Sequence, residues 1–177
     1  MKLTLFGATG KTGKHLIGEA LEHGAEVTVF ARPRSSFQNP NVRVVRGELT
    51  DHRLLEEAIR GADAVLSALG PTSARHGKNM PITKAMDAIT AVMRSENVRR
   101  LIAVSTGTAA DPQDAFDLKI WLPGVLIRFA MPGSYRDMIG LADSIRRSGL
   151  GRVDNHAMRI MDAAKCRNAR KLRAVLS

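Results

Sequence analysis

Short apolar runs alternate along the first 150 residues with longer segments in which apolar side chains recur every three or four positions. A short run is typical of a buried strand, and the longer spacing is typical of a helix with one apolar face. The predicted strands span residues 2–6, 25–31, 42–45, 62–70 and 99–106, and three predicted helices span 11–23, 81–95 and 134–148. A fourth helix is predicted to begin after Thr50 or Asp51. Its inward-facing residues are Leu54, Leu55, Ala58 and Ile59. This alternation indicates βαβ units and a mainly parallel α/β sheet.

The pattern weakens after residue 106. Residues 107–117 are polar and rich in turn-forming residues, and the apolar stretch 118–130 is broken by Pro123 and Gly124. No internal repeat, linker or low-complexity segment divides the 177 residues, and 44% of them are hydrophobic. We therefore predict a single packed domain.

Residues that build covalent or metal-bound frameworks are scarce. Cys166 is the single cysteine, which excludes an intramolecular disulfide and a cysteine zinc site. The five histidines show no metal-ligand spacing, so no metal is predicted. No signal-peptide pattern opens the chain, and no apolar run approaches the roughly 20 residues of a membrane span. We expect a cytoplasmic protein without a membrane partner.

The net charge of +10 is concentrated at the end of the chain. Residues 151–177 hold seven Lys or Arg against two Asp, so this basic tail carries half of the net charge. Only 4% of the residues are aromatic, which gives no stacking platform for single-stranded nucleic acid. Nucleic-acid binding is therefore not predicted as the main function.

The stretch LTLFGATGKTGKHL, residues 3–16, contains a Gly-Lys-Thr that invites comparison with a triphosphate-binding P-loop. A P-loop requires another glycine five positions before the glycine of that triplet. Five positions before Gly10, the glycine of the triplet, stands Leu5. The second Gly-Lys pair begins at Gly13, and five positions before it stands Ala8. Both registers fail, so a nucleoside triphosphate is not the predicted ligand.

The glycines instead follow the spacing of a dinucleotide-binding turn. At a strand-to-helix junction, Gly7 allows the tight turn, Gly10 lets the backbone approach a pyrophosphate, and Gly13 lets helix and strand pack closely. The helix N-terminus then offers backbone N–H groups to the diphosphate. The predicted cofactor-binding residues of this turn are Gly7, Thr9, Gly10, Lys11, Thr12 and Gly13.

Together with this turn, four later motifs resemble a known family. The motifs are GATGKTGKHL (7–16), VTVFARPRS (27–35), GELTD (47–51), LSALG (66–70) and LIAVST (101–106). They are similar to the atypical short-chain dehydrogenases/reductases, in particular the NmrA-like and flavin/biliverdin-reductase-like NAD(P)H-binding proteins. The resemblance implies a Rossmann-type, doubly wound parallel sheet over residues 1–150 and a bound NAD(P)(H).

The end of the second predicted strand bears on which dinucleotide is bound. NAD-binding proteins place an acidic residue there to accept a hydrogen bond from the ribose 2′-hydroxyl. Here the strand ends with Arg32, Arg34, Ser35 and Ser36 and without an acid. Guanidinium groups and hydroxyls suit a 2′-phosphate, which a carboxylate would repel. NADP(H) is therefore predicted over NAD(H).

Other strand ends meet at the same crevice of such a sheet. The family resemblance implies that Glu48 and Leu49 lie near the adenine and that Ala68, Leu69 and Gly70 lie near the ribose and diphosphate. It also implies that Ser105 and Thr106 reach toward the nicotinamide. Ser105 is the one catalytic candidate, with the role of orienting the substrate or the carboxamide.

The acid–base pair of the typical dehydrogenases, Tyr-x-x-x-Lys, is absent. Tyr135 is the only tyrosine, and Ile139 stands four positions later. Relatives that lack the pair transfer hydride to a flavin, a quinone or a similar electron-deficient acceptor. The predicted function is an NADPH-dependent reductase of a small acceptor, and the alternative is an NADP(H)-binding redox sensor that turns nothing over.

Residues 151–177 depart from the family pattern, in which a final strand and a substrate-covering lobe follow. One set of codons for Val153 to Met158, read one base later, encodes Trp-Thr-Ile-Met-Arg, which resembles that missing strand. The hypothesis is that a frameshift replaced the strand and truncated the substrate lobe. An exposed sheet edge would follow, and with it association into a homo-oligomer.

Overall fold

The computed structural model describes residues 1–71, 79–103 and 130–150 of the chain. The strands in these ranges are β1 (Lys2–Phe6), β2 (Glu26–Ala31), β3 (Arg43–Arg46), β4 (Ala64–Ser67) and β5 (Leu101–Ala103). The helices are α1 (Lys11–Glu22), α2 (His52–Ile59), α3 (Pro81–Ser95) and α4 (Pro132–Ser148). The predicted alternation of strands and helices is confirmed.

The strands form one parallel sheet with the order β3-β2-β1-β4-β5. The chain moves outward from β1 in one direction through β2 and β3, and then crosses back to place β4 on the other side of β1. This reversal makes the sheet doubly wound, as predicted for a Rossmann-type fold. It also opens a crevice between the carboxyl ends of β1 and β4, where ligands of such sheets bind.

Alternating side chains of the strands belong to two separate apolar clusters, one on each face of the sheet. Along β1, Leu3 and Leu5 belong to the cluster covered by α1, whereas Phe6 belongs to the cluster covered by the other three helices. Because successive strand residues point to opposite faces, one short apolar strand supplies both clusters. Helices on both faces explain why the strands read as continuous apolar runs.

Two predicted strands are longer than the observed ones. Residues 62–70 were predicted as one strand, but β4 covers Ala64–Ser67, because residues 68–70 leave the sheet. In the predicted strand 99–106, β5 covers Leu101–Ala103, and residues 104–106 lie outside the described residues. The segment 107–129 and the basic tail 151–177 also lie outside them, so the frameshift hypothesis stays a prediction.

Each end of α2 carries a side-chain hydrogen bond. Asp51 is the N-cap, and its carboxylate accepts a hydrogen bond from the Leu54 N–H at 3.2 Å, which selects Asp51 over Thr50. At the other end, Arg60 donates to the Glu96 carboxylate just after α3 at 3.3 Å. This hydrogen bond and the Glu96 charge raise the pKa of Arg60.

The start of α3 is capped from another helix. Met80 precedes α3 in a left-handed conformation, with φ 47°, and its side chain makes no capping bond. Asp137 of α4 is fully buried, and its carboxylate accepts from the backbone N–H groups of Ile82 at 3.0 Å and Thr83 at 2.8 Å. The Thr83 hydroxyl adds a bond to the same carboxylate at 2.6 Å. Asp137 therefore satisfies donors that α3 leaves unpaired at its first turn.

Candidate functional site

A cavity of about 720 Å³ lies at the carboxyl edge of the sheet. The turn between β1 and α1, the ends of β2, β3 and β4, and the first turns of α3 all contribute to its lining. This is the crevice at which the strand order reverses. The cavity is large enough for a nucleotide-sized ligand.

Most of the predicted cofactor-binding residues meet at this cavity. The lining includes Gly7, Thr9, Gly10, Arg32, Glu48, Leu49, Ala68, Leu69 and Gly70. The predicted residues that do not line it are Lys11, Thr12, Gly13, Arg34 and Ser35, which follow lining residues directly or within three positions. Ser105 and Thr106, predicted to lie near the nicotinamide, fall outside the described residues. The binding roles themselves stay predictions.

Gly7 and Gly13 have distinct packing reasons to be glycine. Gly7 has φ 85°, a conformation that favours glycine, and a Cβ there would lie 2.5 Å from the Ala68 carbonyl oxygen of the neighbouring strand end. A Cβ on Gly13 would lie 2.8 Å from the Ala8 Cα, so the close approach of α1 to the turn depends on its absence. The predicted structural roles of both glycines are confirmed.

Gly10 differs from these two residues. Its φ of −72° is open to any residue, and among the described residues a Cβ would meet only the Gly7 carbonyl oxygen, at 3.5 Å. The described part of the protein therefore does not require glycine at this position. Because Gly10 lines the cavity, the space that a side chain would fill is the space in front of the turn, as expected for close approach of a ligand.

The N-terminus of α1 has the features of an anion-binding site. Its N-cap is Gly10, no side chain caps it, and its first turn contains no acidic residue but does contain Lys11 and Lys14. Within the described ranges, the N–H groups of Lys11, Thr12 and Gly13 have no hydrogen-bond acceptor. Lysines at the positive end of a helix dipole destabilise the helix unless a negative charge is bound there. The donors and charges present suit a diphosphate.

The cavity has charged groups at two strand ends. Arg32 follows β2 and is exposed at the cavity, and residues 31–41 contain no Asp or Glu. The first carboxylate after β2 along the chain is that of Glu48, which follows β3 and also lines the cavity. The end of β2 is therefore cationic, whereas NAD-binding proteins have an acidic residue there that binds the ribose 2′-hydroxyl.

The sequence did not reveal the wall formed by α3. The lining residues absent from the prediction are Ala8, Phe30, Ala31, Thr50, Pro71, Asn79, Pro81, Ile82, Lys84 and Ala85. Five of these lie in or next to the first turns of α3. The signal was available, because a helix that follows a parallel strand begins at the carboxyl edge of the sheet. Phe30 forms an apolar floor, with its ring 5.4 Å from that of Phe6.

Two other features are absent from the described ranges. No group of three or more His, Cys, Asp or Glu side chains there is placed to hold a metal ion. None of the helices in those ranges combines the length and the apolar character needed to cross a membrane.

Comparison with known proteins agrees with this geometry. The model of the NAD(P)H-binding protein family matches residues 7–151. The chain belongs to this family. Pinoresinol reductase 1 from Arabidopsis thaliana is 28% identical over an alignment of 117 positions, which covers 60% of this chain and 36% of that protein. Isoflavone reductase homolog IRL from Zea mays is 26% identical over an alignment of 121 positions, which covers 62% of this chain and 37% of that protein.

This chain thus spans little more than a third of the length of these two plant proteins. A solved short-chain dehydrogenase/reductase from Veillonella parvula DSM 2008, in complex with NADP, has a TM-score of 0.62 at 20% identity. The similarity covers 84% of this chain and 65% of that one, and shows the shared fold. The resemblance to atypical short-chain dehydrogenases/reductases is confirmed, whereas the narrower NmrA-like assignment stays a prediction.

Proposed function

We propose that the cavity binds NADP(H) and that the protein is an NADPH-dependent reductase of a flavin, a quinone or a similar small electron-deficient acceptor. The observation that carries the proposal is the α1 N-terminus, which opens uncapped and free of acidic side chains beside a cavity that Arg32 borders. The two plant relatives are named as reductases, which favours turnover over redox sensing without turnover.

Different residues in and next to the cavity would hold different parts of the cofactor. The N–H groups of Lys11, Thr12 and Gly13 would hold the diphosphate, with Gly10 allowing its approach. Glu48 and Leu49 border the side assigned to the adenine, and the backbone of residues 68–70 borders the side assigned to the ribose.

The end of β2 supports the choice of NADP(H). Arg32 and Arg34 are both exposed, and the Ser35 N–H donates to the Arg32 carbonyl at 2.9 Å in a turn with Pro33 and Arg34 at its centre. The Ser35 hydroxyl oxygen accepts from the Phe37 N–H at 3.2 Å, so its own proton can be donated to an anion. Two guanidinium groups and a hydroxyl donor suit a 2′-phosphate.

The chemistry follows from what the chain offers beside the cofactor. When bound, NADPH would supply a hydride. With Ile139 four positions after Tyr135, the chain has no Tyr-Lys pair to exchange a proton with an alcohol or ketone. An acceptor whose reduced form takes its proton from water does not need such a pair. The protein's part is then to bind and orient, and Ser105 is the residue proposed to orient the acceptor or the carboxamide.

An acceptor screen tests the reductase. Purified protein is mixed with NADPH and, separately, with free flavin, a benzoquinone and an isoflavone, while the near-ultraviolet absorbance of the reduced nicotinamide is followed. We expect many turnovers with at least one acceptor, one NADPH being consumed per acceptor reduced, and no activity in the Gly10→Val variant. Tight NADPH binding without oxidation by any acceptor would instead support a sensor.

The cofactor preference is tested by removing Arg32. We expect the unmodified protein to bind NADPH more tightly than NADH, and Arg32→Ala to remove most of the difference. Losing one charge-assisted contact to the phosphate should cost about 1.5–3 kcal/mol of NADPH binding while NADH binding changes little. Isothermal titration of both cofactors measures this. Equal affinities in the unmodified protein would show that the strand end does not select NADP(H).

A further inference from the structure

The connection between β2 and β3 lacks the helix that usually joins neighbouring parallel strands. Residues 32–42 cross as an irregular segment, and this segment carries the cationic end of β2. An irregular segment without a helix must find other partners for its backbone groups. Those partners determine how firmly Arg32, Arg34 and Ser35 are held.

Arg46, the last residue of β3, supplies two of these partners. One terminal nitrogen of its guanidinium, Nη1, donates to the Ser35 carbonyl at 2.7 Å, and the other, Nη2, donates to the Phe37 carbonyl at 2.6 Å. Phe37 in turn packs against the apolar cluster beneath α1. The planar guanidinium thus bridges two carbonyls of one loop, which a lysine ammonium on a flexible stem does less rigidly.

These bonds converge on Ser35. Its N–H donates to the Arg32 carbonyl, its carbonyl accepts from Arg46, and its hydroxyl oxygen accepts from the Phe37 N–H. The turn that presents Arg32 and Arg34 is therefore tied to β3 through Ser35. Arg46 has no position in the cavity lining and acts through this turn.

We propose that Arg46 is a positioning residue for cofactor specificity, which holds the turn of residues 32–35 in the shape that receives the 2′-phosphate of NADP(H). This inference rests on the proposed NADP(H) binding. Without Arg46, the turn would have to be ordered when the phosphate binds, and that cost falls on NADPH alone, because NADH carries a neutral hydroxyl in place of the 2′-phosphate.

Arg43 provides a matched control. It lies three positions earlier on β3, on the opposite face of the strand, and its guanidinium binds Glu57 of α2 at 2.8 Å instead of the loop. Arg43→Lys and Arg46→Lys both preserve the net charge and both remove one guanidinium from an exposed position on the same strand. Only the second breaks the bridge to the turn.

The test is isothermal titration of NADPH and NADH against the unmodified protein, Arg46→Lys and Arg43→Lys. We expect Arg46→Lys to weaken NADPH binding about tenfold and to leave NADH binding unchanged, whereas Arg43→Lys changes neither. Adenosine 2′,5′-bisphosphate and 5′-AMP, titrated in the same way, should reproduce the difference, because they contain only the adenosine end. Urea denaturation of each variant checks that the fold is retained.

The outcomes separate the two proposals. If the unmodified protein prefers NADPH and Arg46→Lys keeps the same preference, or loses affinity for both cofactors equally, Arg46 does not position the phosphate site. If the unmodified protein binds both cofactors equally, the proposed NADP(H) specificity is wrong, and the proposed role of Arg46 is wrong as well.

Discussion

Gly10→Val is expected to abolish NADPH binding while leaving the fold intact. Within the part of the chain that the structure describes, a Cβ at this position meets only one atom, the Gly7 carbonyl oxygen at 3.5 Å. The backbone is extended, with φ −72° and ψ 161°, which valine adopts readily. The added side chain fills the space in front of the turn where the diphosphate is proposed to lie. We expect the affinity for NADPH to fall at least about 100-fold, or about 2.7 kcal/mol.

Calorimetry and circular dichroism together measure this, and Gly13→Ala is the contrasting variant. A Cβ on Gly13 would lie 2.8 Å from the Ala8 Cα and 2.9 Å from the Gly7 carbonyl carbon, both backbone atoms that cannot move aside. Gly13→Ala should therefore destabilise the fold even without cofactor. Retained NADPH affinity in Gly10→Val would show that the turn has a structural role only.

Asp137→Ala is expected to cause the largest loss of stability. The carboxylate is fully buried and accepts from the N–H groups of Ile82 and Thr83 and from the Thr83 hydroxyl. Alanine leaves these donors buried without that acceptor and adds a small cavity between α3 and α4. Hydrogen bonds to a charged group are strong, and unpaired buried donors are costly, so we expect about 3–4 kcal/mol of destabilisation.

Urea denaturation monitored by circular dichroism measures this change, with Ser144→Ala as the control from the same helix pair. The Ser144 hydroxyl donates to the Asp87 carboxylate at 2.5 Å, but Asp87 is exposed and water can replace the lost donor. We expect Ser144→Ala to cost less than about 1 kcal/mol. Similar losses in both variants would mean that Asp137 contributes no more than an ordinary interface contact.

The cavity shows how far a motif could predict the site. The glycine turn, Arg32 and the strand ends at Glu48 and Ala68 were predicted from their spacing and from the family resemblance, and the structure brings them to one cavity. The second requirement at Gly7, its approach to the Ala68 carbonyl, was not predicted, because it depends on β4 pairing with β1 across 61 positions of sequence. The α3 wall could have been predicted, because α3 follows the parallel strand β4 and therefore begins at the carboxyl edge of the sheet.

The contacts at the helix ends also differ in whether the sequence could predict them. Asp51 caps α2 through a residue three positions away, and α1 shows its open N-terminus in its own first turn. Such features involve neighbours in sequence, so residue type and periodicity predicted them, although they did not decide between Thr50 and Asp51 as the cap of α2. The cap of α3 comes from Asp137, more than 50 positions later, and the turn after β2 is held by Arg46 on another strand. Neither contact follows from residue type, because a buried carboxylate or a bridging guanidinium finds its partners only when packing has brought separate elements together.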